Sequence, residues 1–260
     1  KVKEVIALIE KQYDKVDLKI FDTRAEMGRV AAEEAASCLR ELLEKEPEIN
    51  CIFAAAPSQS EFLEELCKQP GIDWTRVNGY HMDEYVGLSL GHEKSFNHFL
   101  SESIFNKVPF KSANLIDGSR PVEEETARYG QLLRNAPTHV TFMGIGENGH
   151  IAFNDPPVAD FEDKEVIKKV KLDLVCRQQQ VHDKCFDTLD EVPEYALTVT
   201  VPRLMASQYI FCIVPSDKKH DATVAALTGP VSTACPASIL RRTDNVRMYI
   251  DKACAGNLAK

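Results

Sequence analysis

Two short stretches carry side chains able to do acid–base chemistry. In "HMDEYVGL", residues 81–88, two carboxylates, Asp83 and Glu84, follow at once on an apolar run that ends in Met82. Acids crowded at a strand end disfavour each other's charge, and the raised pKa that results suits a group that takes and returns a proton. One of the two could equally cap the turn that follows. In "GIGENGHIAFNDPP", residues 144–157, a glycine turn presents Asn148, His150 and Asp155. A neutral imidazole exchanges protons near pH 7, and a carboxylate five residues on could hold the ring tautomer and stabilise the charged form.

The second stretch contains Gly144-Ile145-Gly146-Glu147-Asn148-Gly149, a literal G-x-G-x-x-G after a β-like run. A dinucleotide site needs the last glycine to open a long helix whose N-terminus faces the pyrophosphate. Pro156 and Pro157 leave room for at most about one and a half turns, because proline and the residue before it resist helical geometry. Glu165 stands near the place of the ribose-binding acid, a cheap match in so acidic a chain. The stretch therefore reads as a turn in which Gly146 and Gly149 let backbone approach a ligand, and no cofactor is expected.

Two further stretches suit an anion. "AAAPSQSEFLEEL", residues 54–66, reads as strand, turn and a helix from Ser58, with Glu61 completing an S-x-x-E capping box. Free N–H groups at such a start, beside Ser58, Gln59 and Ser60, can cradle a phosphate. In "VPSDKKHDA", residues 214–222, Lys218 or Lys219 follows a strand and could reach the same group.

The elements that must position these residues alternate along the chain. Asn50–Ala55, Thr138–Met143 and Tyr209–Val214 read as buried strands, with Arg76–Met82 and Arg247–Ile250 as further ones. Helices are expected from Ser58 to near Cys67 and from Asp217 to near Leu227. Thr23-Arg24-Ala25-Glu26 has capping-box form and opens an Ala-rich helix running to near Leu43. This alternation predicts a three-layer α/β/α fold with a mostly parallel, doubly wound, Rossmann-like sheet. With no linker or repeat, residues 1–260 read as a single domain. Ligands of such sheets sit outside the carboxyl ends of the strands, so residues 56–60, 83–88, 144–155 and 215–219 should converge.

Composition narrows the partners. The 31 basic and 40 acidic residues give a net charge of −9, which argues against nucleic acid. A few placed cations still suffice for one small phosphorylated ligand. The eight cysteines form no C-x-x-C pair and no zinc-finger spacing, so no metal is expected and a reducing, cytoplasmic setting is. No apolar segment approaches the roughly 18 residues of a membrane span. The opening "KVKEVIALIE" is too charged for a signal peptide. The sequence starts at Lys1 rather than Met, so a few residues are expected to precede it.

Taken together, "MDEYVGL" at 82–88, "GIGENGHIAFNDPP" at 144–157, "VPEYALTVTVPRLM" at 192–205 and "VPSDKKHDA" at 214–222 resemble the glucosamine-6-phosphate deaminase/isomerase family, over nearly the whole chain. Related 6-phosphogluconolactonases share the fold and the G-x-G-x-x-G-H turn but continue differently after the histidine. The resemblance implies conversion of a hexosamine 6-phosphate to fructose 6-phosphate and ammonia, without metal or organic cofactor. Under it Asp83 matches the base that moves a proton between C2 and C1, and Glu84 an acid adjacent to that base. His150 matches the residue that assists ring opening, and Lys219 matches the phosphate lysine.

Three departures from the family pattern stand out. Asn148 replaces a common Asp, Asp155 replaces a common Glu, and Ala56-Pro57-Ser58-Gln59-Ser60 replaces a Gly-Gly-Thr type turn. The family's phosphate arginine has no clear match; Lys184 is nearest by position and Arg177 the other choice. Galactosamine 6-phosphate is an alternative substrate. Lactone hydrolysis by His150 acting on water, and a non-enzymatic sugar-phosphate sensor, are readings of other classes. Self-association into a homo-oligomer is left open.

Overall fold

The computed structural model describes residues 9–260, so most of the "KVKEVIALIE" stretch lies outside the described residues. The strands are β1 (Ile9–Tyr13), β2 (Val16–Phe21), β3 (Ile49–Phe53), β4 (Val77–His81), β5 (Asp83–Tyr85), β6 (Ser112–Asn114), β7 (Val140–Met143), β8 (Ile167–Lys171), β9 (Tyr195–Val199), β10 (Tyr209–Val214) and β11 (Val246–Asp251). Eight of them form one sheet in the order β1-β2-β11-β10-β7-β3-β4-β6. Every pairing in it is parallel except the β1–β2 hairpin at one edge.

The helices cover both faces. Residues of α1 (Arg24–Lys45), α2 (Ser60–Lys68) and α3 (Phe96–Leu100) pack with Phe53, Phe142, Phe211 and Ile213 on one side. Residues of α4 (Val122–Arg134), α6 (Val201–Met205), α7 (His220–Thr228) and α8 (Lys252–Ala255) pack with Ile52, Met143, Ile210 and Cys212 on the other. Helix α5 (Leu174–His182) adds Cys176 to the first cluster. The strand sequences INCIF, VTFM and YIFCIV are apolar without alternation because each strand is buried on both faces. A row of rings, Phe53–Phe142–Phe211–Tyr249, crosses four neighbouring strands with centroids 5.0, 5.6 and 6.1 Å apart. This row ties four neighbouring strands together on one face of the sheet. The expected three-layer, mostly parallel, doubly wound sheet is the fold observed.

Local departures have local causes. Thr23 caps α1 as expected, accepting from Glu26 N at 3.1 Å. Ser58 does not cap α2: Pro57 starts a tight 3₁₀ turn, Pro57–Gln59, and the α-helix follows only at Ser60. Glu61, expected to close the capping box, instead pairs with Arg24 at 2.6 Å. Asp217–Lys219 forms a similar turn before α7. The sequence did not suggest the β1–β2 hairpin or the second, antiparallel sheet, β5-β9-β8. Only Met82 separates β4 from β5, so the chain passes from the large sheet to the small one at the residue before Asp83. Among the described residues no helix is long and apolar enough to cross a membrane.

Candidate active site

Four strand ends open on one pocket. After β3 it is lined by Ala54–Ala56, Ser58 and Gln59, after β4 by Met82 and Asp83, after β7 by Gly144–Gly146 and His150, and after β10 by Lys219. The sheet order β10-β7-β3-β4 therefore puts Lys219 at one end and Asp83 at the other, three strand spacings or roughly 14 Å apart along the sheet. Phe96 and Phe153 form a wall, and Gln179, Gln180 and Asp183 close the side that α5 covers.

Asp83 is 7% exposed, and its carboxylate accepts no hydrogen bond from the described residues. Burial first, then the charges of Glu84 and Asp155, push its carboxyl well above the usual range. Glu84 has the opposite surroundings. Its Oε1 accepts from Tyr85 N at 2.9 Å and Phe96 N at 3.0 Å, and its Oε2 from Asn97 N and Asn97 Nδ2, both at 2.8 Å. Burial raises this carboxyl to about 7 against four N–H donors that favour the anion. The expectation that Glu84 joins Asp83 in the site is corrected here, because consecutive strand residues point to opposite faces. Glu84 rivets β5 to the start of α3 and does not line the pocket.

His150 is set by its own turn. Nδ1 lies 2.7 Å from Asn148 Oδ1, which also accepts His150 N at 3.0 Å. An amide oxygen can only accept, so Nδ1 carries the hydrogen and Nε2 keeps a lone pair. Burial, helped by the Lys219 charge, lowers the ring pKa to about 3, so the imidazole is neutral. Asp155 Oδ1 also lies near Nδ1, at 3.2 Å, where the sequence expected a carboxylate to hold the tautomer, but Asn148 Oδ1 is nearer. Asn148 Nδ2 donates to Asp155 Oδ1 at 3.3 Å and to Asp173 Oδ2 at 3.2 Å. An aspartate at 148 would turn a third carboxylate toward two others, which explains an amide there. Asp155, lifted by burial to about 6, also accepts Asp173 N at 3.0 Å. Asn148 and Asp155 stand behind the ring and do not line the pocket.

The glycines serve this arrangement. A Cβ on Gly146 would lie 2.0 Å from His150 Cε1, so the ring occupies the space a side chain would need. Gly149 has φ +83° and would meet Cys235 Sγ at 2.7 Å. It packs on the C-terminal segment and not on the pocket, contrary to the expectation that it lets backbone approach a ligand. No helix opens after Gly149; residues 151–154 form a turn closed by an Ile151–Asn154 bridge, as the prolines demand. His150 Nδ1, an Asp155 oxygen and Cys176 Sγ lie within 4.8 Å of one another, a donor set that metals accept. Hydrogen bonds already engage two of them: Nδ1 serves Asn148, and Asp155 receives Asn148 Nδ2 and Asp173 N.

At the other end, Lys219 is 6% exposed and forms no ion pair among the described residues. Gln59 Nε2 donates to Ile213 O at 3.1 Å and Ser58 Oγ at 3.3 Å, steadying both beside it. Ser60 is exposed and outside the pocket, because the turn at Pro57 rotates it away. Lys184 is likewise exposed and outside, at φ +59° just past α5. Arg177 turns inward, its Nη2 donating to the carbonyls of Leu189 and Val192 at 2.9 Å, away from the pocket. Neither cation takes the arginine's place. The sequence reading missed Gln179, Gln180 and Asp183, which share one face of α5; a Gln run followed by Asp at helical spacing was the available signal.

The family model described as glucosamine-6-phosphate isomerases/6-phosphogluconolactonase matches residues 22–249. Glucosamine-6-phosphate deaminase of Streptococcus pyogenes serotype M1 is 32% identical over 207 residues, covering 79% of this chain and 86% of its own length. The enzyme of the same name from Streptococcus suis is 33% identical over the same span. A solved monomeric glucosamine-6-phosphate deaminase superposes with a TM-score of 0.82 at 25% identity, covering 92% of this chain and 98% of its own. The 6-phosphogluconolactonase of Thermotoga maritima, at 18% identity and TM-score 0.74, covers 92% of this chain and all of its own, and shares the fold. The chain belongs to the glucosamine-6-phosphate isomerase/6-phosphogluconolactonase family.

Proposed function

We propose that this chain is a deaminating aldose–ketose isomerase that converts glucosamine 6-phosphate to fructose 6-phosphate and ammonia. The observation that carries the reading is Asp83: a buried carboxylate that accepts no hydrogen bond from the described residues, in one pocket with a neutral, Nδ1-protonated His150. Lys219, Ser58 and Gln59 would hold the phosphate. His150 Nε2 takes the anomeric hydroxyl proton as the C1–O5 bond breaks and passes it to O5, leaving the open-chain amino aldose. Asp83 removes the C2 proton; the electron pair forms the C1=C2 bond while O1 takes a proton from the substrate's C2 ammonium, leaving a neutral enolamine. Return of that proton from Asp83 to C1 makes C2 an iminium carbon, where water adds and ammonia leaves. Sugar-phosphate chemistry and eight free thiols support a cytoplasmic setting.

Lactone hydrolysis is the second reading, favoured by the shared fold of solved lactonases and by a His150 lone pair able to activate water. The two readings divide on Asp83. Given glucosamine or galactosamine 6-phosphate, the protein releases ammonia and ketose phosphate together, and Asp83→Asn lowers that rate by about 10³-fold or more. Release of neither product from either sugar would sink the isomerase reading. Lactone hydrolysis retained by Asp83→Asn would install the other.

A further inference from the structure

None of these steps uses the donor on the pocket's helical side. Gln179 and Gln180 both line the pocket, 5% and 6% exposed. Gln179 is consumed: its Oε1 accepts Glu147 N at 2.7 Å and its Nε2 reaches Asp183 Oδ2 at 3.3 Å. Gln180 is half used. Its Oε1 lies 2.9 Å from the hydroxyl of Tyr85, a fully buried residue whose O–H finds no other acceptor among the described residues. The hydroxyl therefore donates, which fixes the amide oxygen on Tyr85 and leaves Nε2 with two hydrogens. That nitrogen has no acceptor among the described residues, and it is not one of the sealed polar atoms that lack a partner. The residue that carries it lines the pocket.

The placement assigns it to one end. Tyr85 lies two residues beyond Asp83 on β5, hence on the same face of that strand. Its ring packs against Phe96 at 4.8 Å and Phe153 at 5.3 Å, both pocket walls. Gln180 is thus anchored to the strand of Asp83, while Asp183, almost one turn further along α5, bears on the charge of Lys219. A neutral amide has no charge with which to gather a phosphate dianion, but it suits a hydroxyl or carbonyl oxygen.

We propose that Gln180 recognises the sugar: its Nε2 donates to a neutral oxygen of the hexosamine at the end where Asp83 acts, with Tyr85 as the residue that positions it. This rests on the isomerase reading for the ligand, and it makes α5 a selector of the sugar where the strand ends supply the acid and base.

The test is calorimetric, in an Asp83→Asn background so that the sugar is not consumed. Gln180→Leu weakens glucosamine 6-phosphate by about 5- to 15-fold, the value of one hydrogen bond, and leaves inorganic phosphate within about twofold. Tyr85→Phe, which frees the amide to turn, produces a smaller loss of the same selectivity. If Gln180→Leu fails to fold, Gln180→Asn reads the same contrast by withdrawing the amide one methylene. Sugar-phosphate affinity unchanged, or lost in parallel with inorganic phosphate, overturns the assignment. If the native enzyme releases no ammonia while the contrast holds, the reaction is wrong and Gln180 stands. Turnover without the contrast means the reverse, and a parent that binds phosphate but no sugar phosphate overturns both.

Discussion

The pocket has a floor of strand ends and a roof of one helix, and different forces hold them. On the floor, only Met82 separates Asp83 from β4, His150 fills the space Gly146 leaves, and the aromatic row ties the strands below together. Each group there has one place to be. The roof, α5, buries Cys176 in the core and is otherwise tied to the floor by single polar contacts: Gln179 to Glu147 N, Gln180 to Tyr85, and His182 to Glu147 at 3.3 Å. Proton transfer needs groups held within a fraction of an ångström, which packed strand ends provide, whereas recognition tolerates a looser support.

Substitutions can break this contrast or sharpen it. The largest effect is expected at Glu84. Glu84→Ala leaves buried N–H groups of Tyr85, Phe96 and Asn97 without an acceptor and should cost about 3–5 kcal/mol in a urea titration. A loss under about 1 kcal/mol would mean the floor does not depend on this rivet. Gly146→Ala should lower kcat by about 10²-fold by displacing the His150 ring, with folding largely retained; an unchanged kcat would remove His150 from the chemistry.

Asp155 has a pH signature. Its folded carboxyl sits at about 6 against an ordinary 3.8, so the folded state holds the proton more tightly. Stability from this group is complete below the ordinary value and lost as pH rises through the folded one. Asp155→Asn should therefore gain on the native protein between acid and neutral pH, by on the order of 2–3 kcal/mol. Thermal melts at several pH values that run parallel would contradict this. On the roof the effects shrink. Asp183→Asn, which lifts a carboxylate's field from Lys219, should tighten phosphate severalfold, by about 1 kcal/mol or less. Lys184→Ala should change KM by less than about twofold, since the side chain lies outside the pocket. A tenfold rise would show that α5 closes further on binding.

What was legible follows the same division. Tyr209–Val214 could be read to the residue, because a strand buried on both faces is a bare apolar run. The loops after β3, β4, β7 and β10 converged as open α/β topology requires. The small antiparallel sheet was missed because β8, IKKVK, shows half-polar alternation that no apolar run announces. The division of labour between Asp83 and Glu84 turns on Asn97, thirteen positions away. Asn148 was noticed as a departure, but its reason is Asp173, twenty-five positions on. Gln180 acquires meaning only through Tyr85, ninety-five positions back. Local chemistry is written locally; the pairing that assigns it is not.

The sheet order also governs timing. Strand β11 is the last of the sheet's strands to be made, yet it lies between β2 and β10, near one side of the sheet's centre. At about 5–20 residues per second, a ribosome takes on the order of ten to fifty seconds over this chain. Throughout, β2 must wait beside an unfilled slot with its backbone groups open to a stray strand. Strands β3, β4, β7 and β10 all precede β11 in the chain, so the β1–β2 hairpin joins them only once β11 has been made.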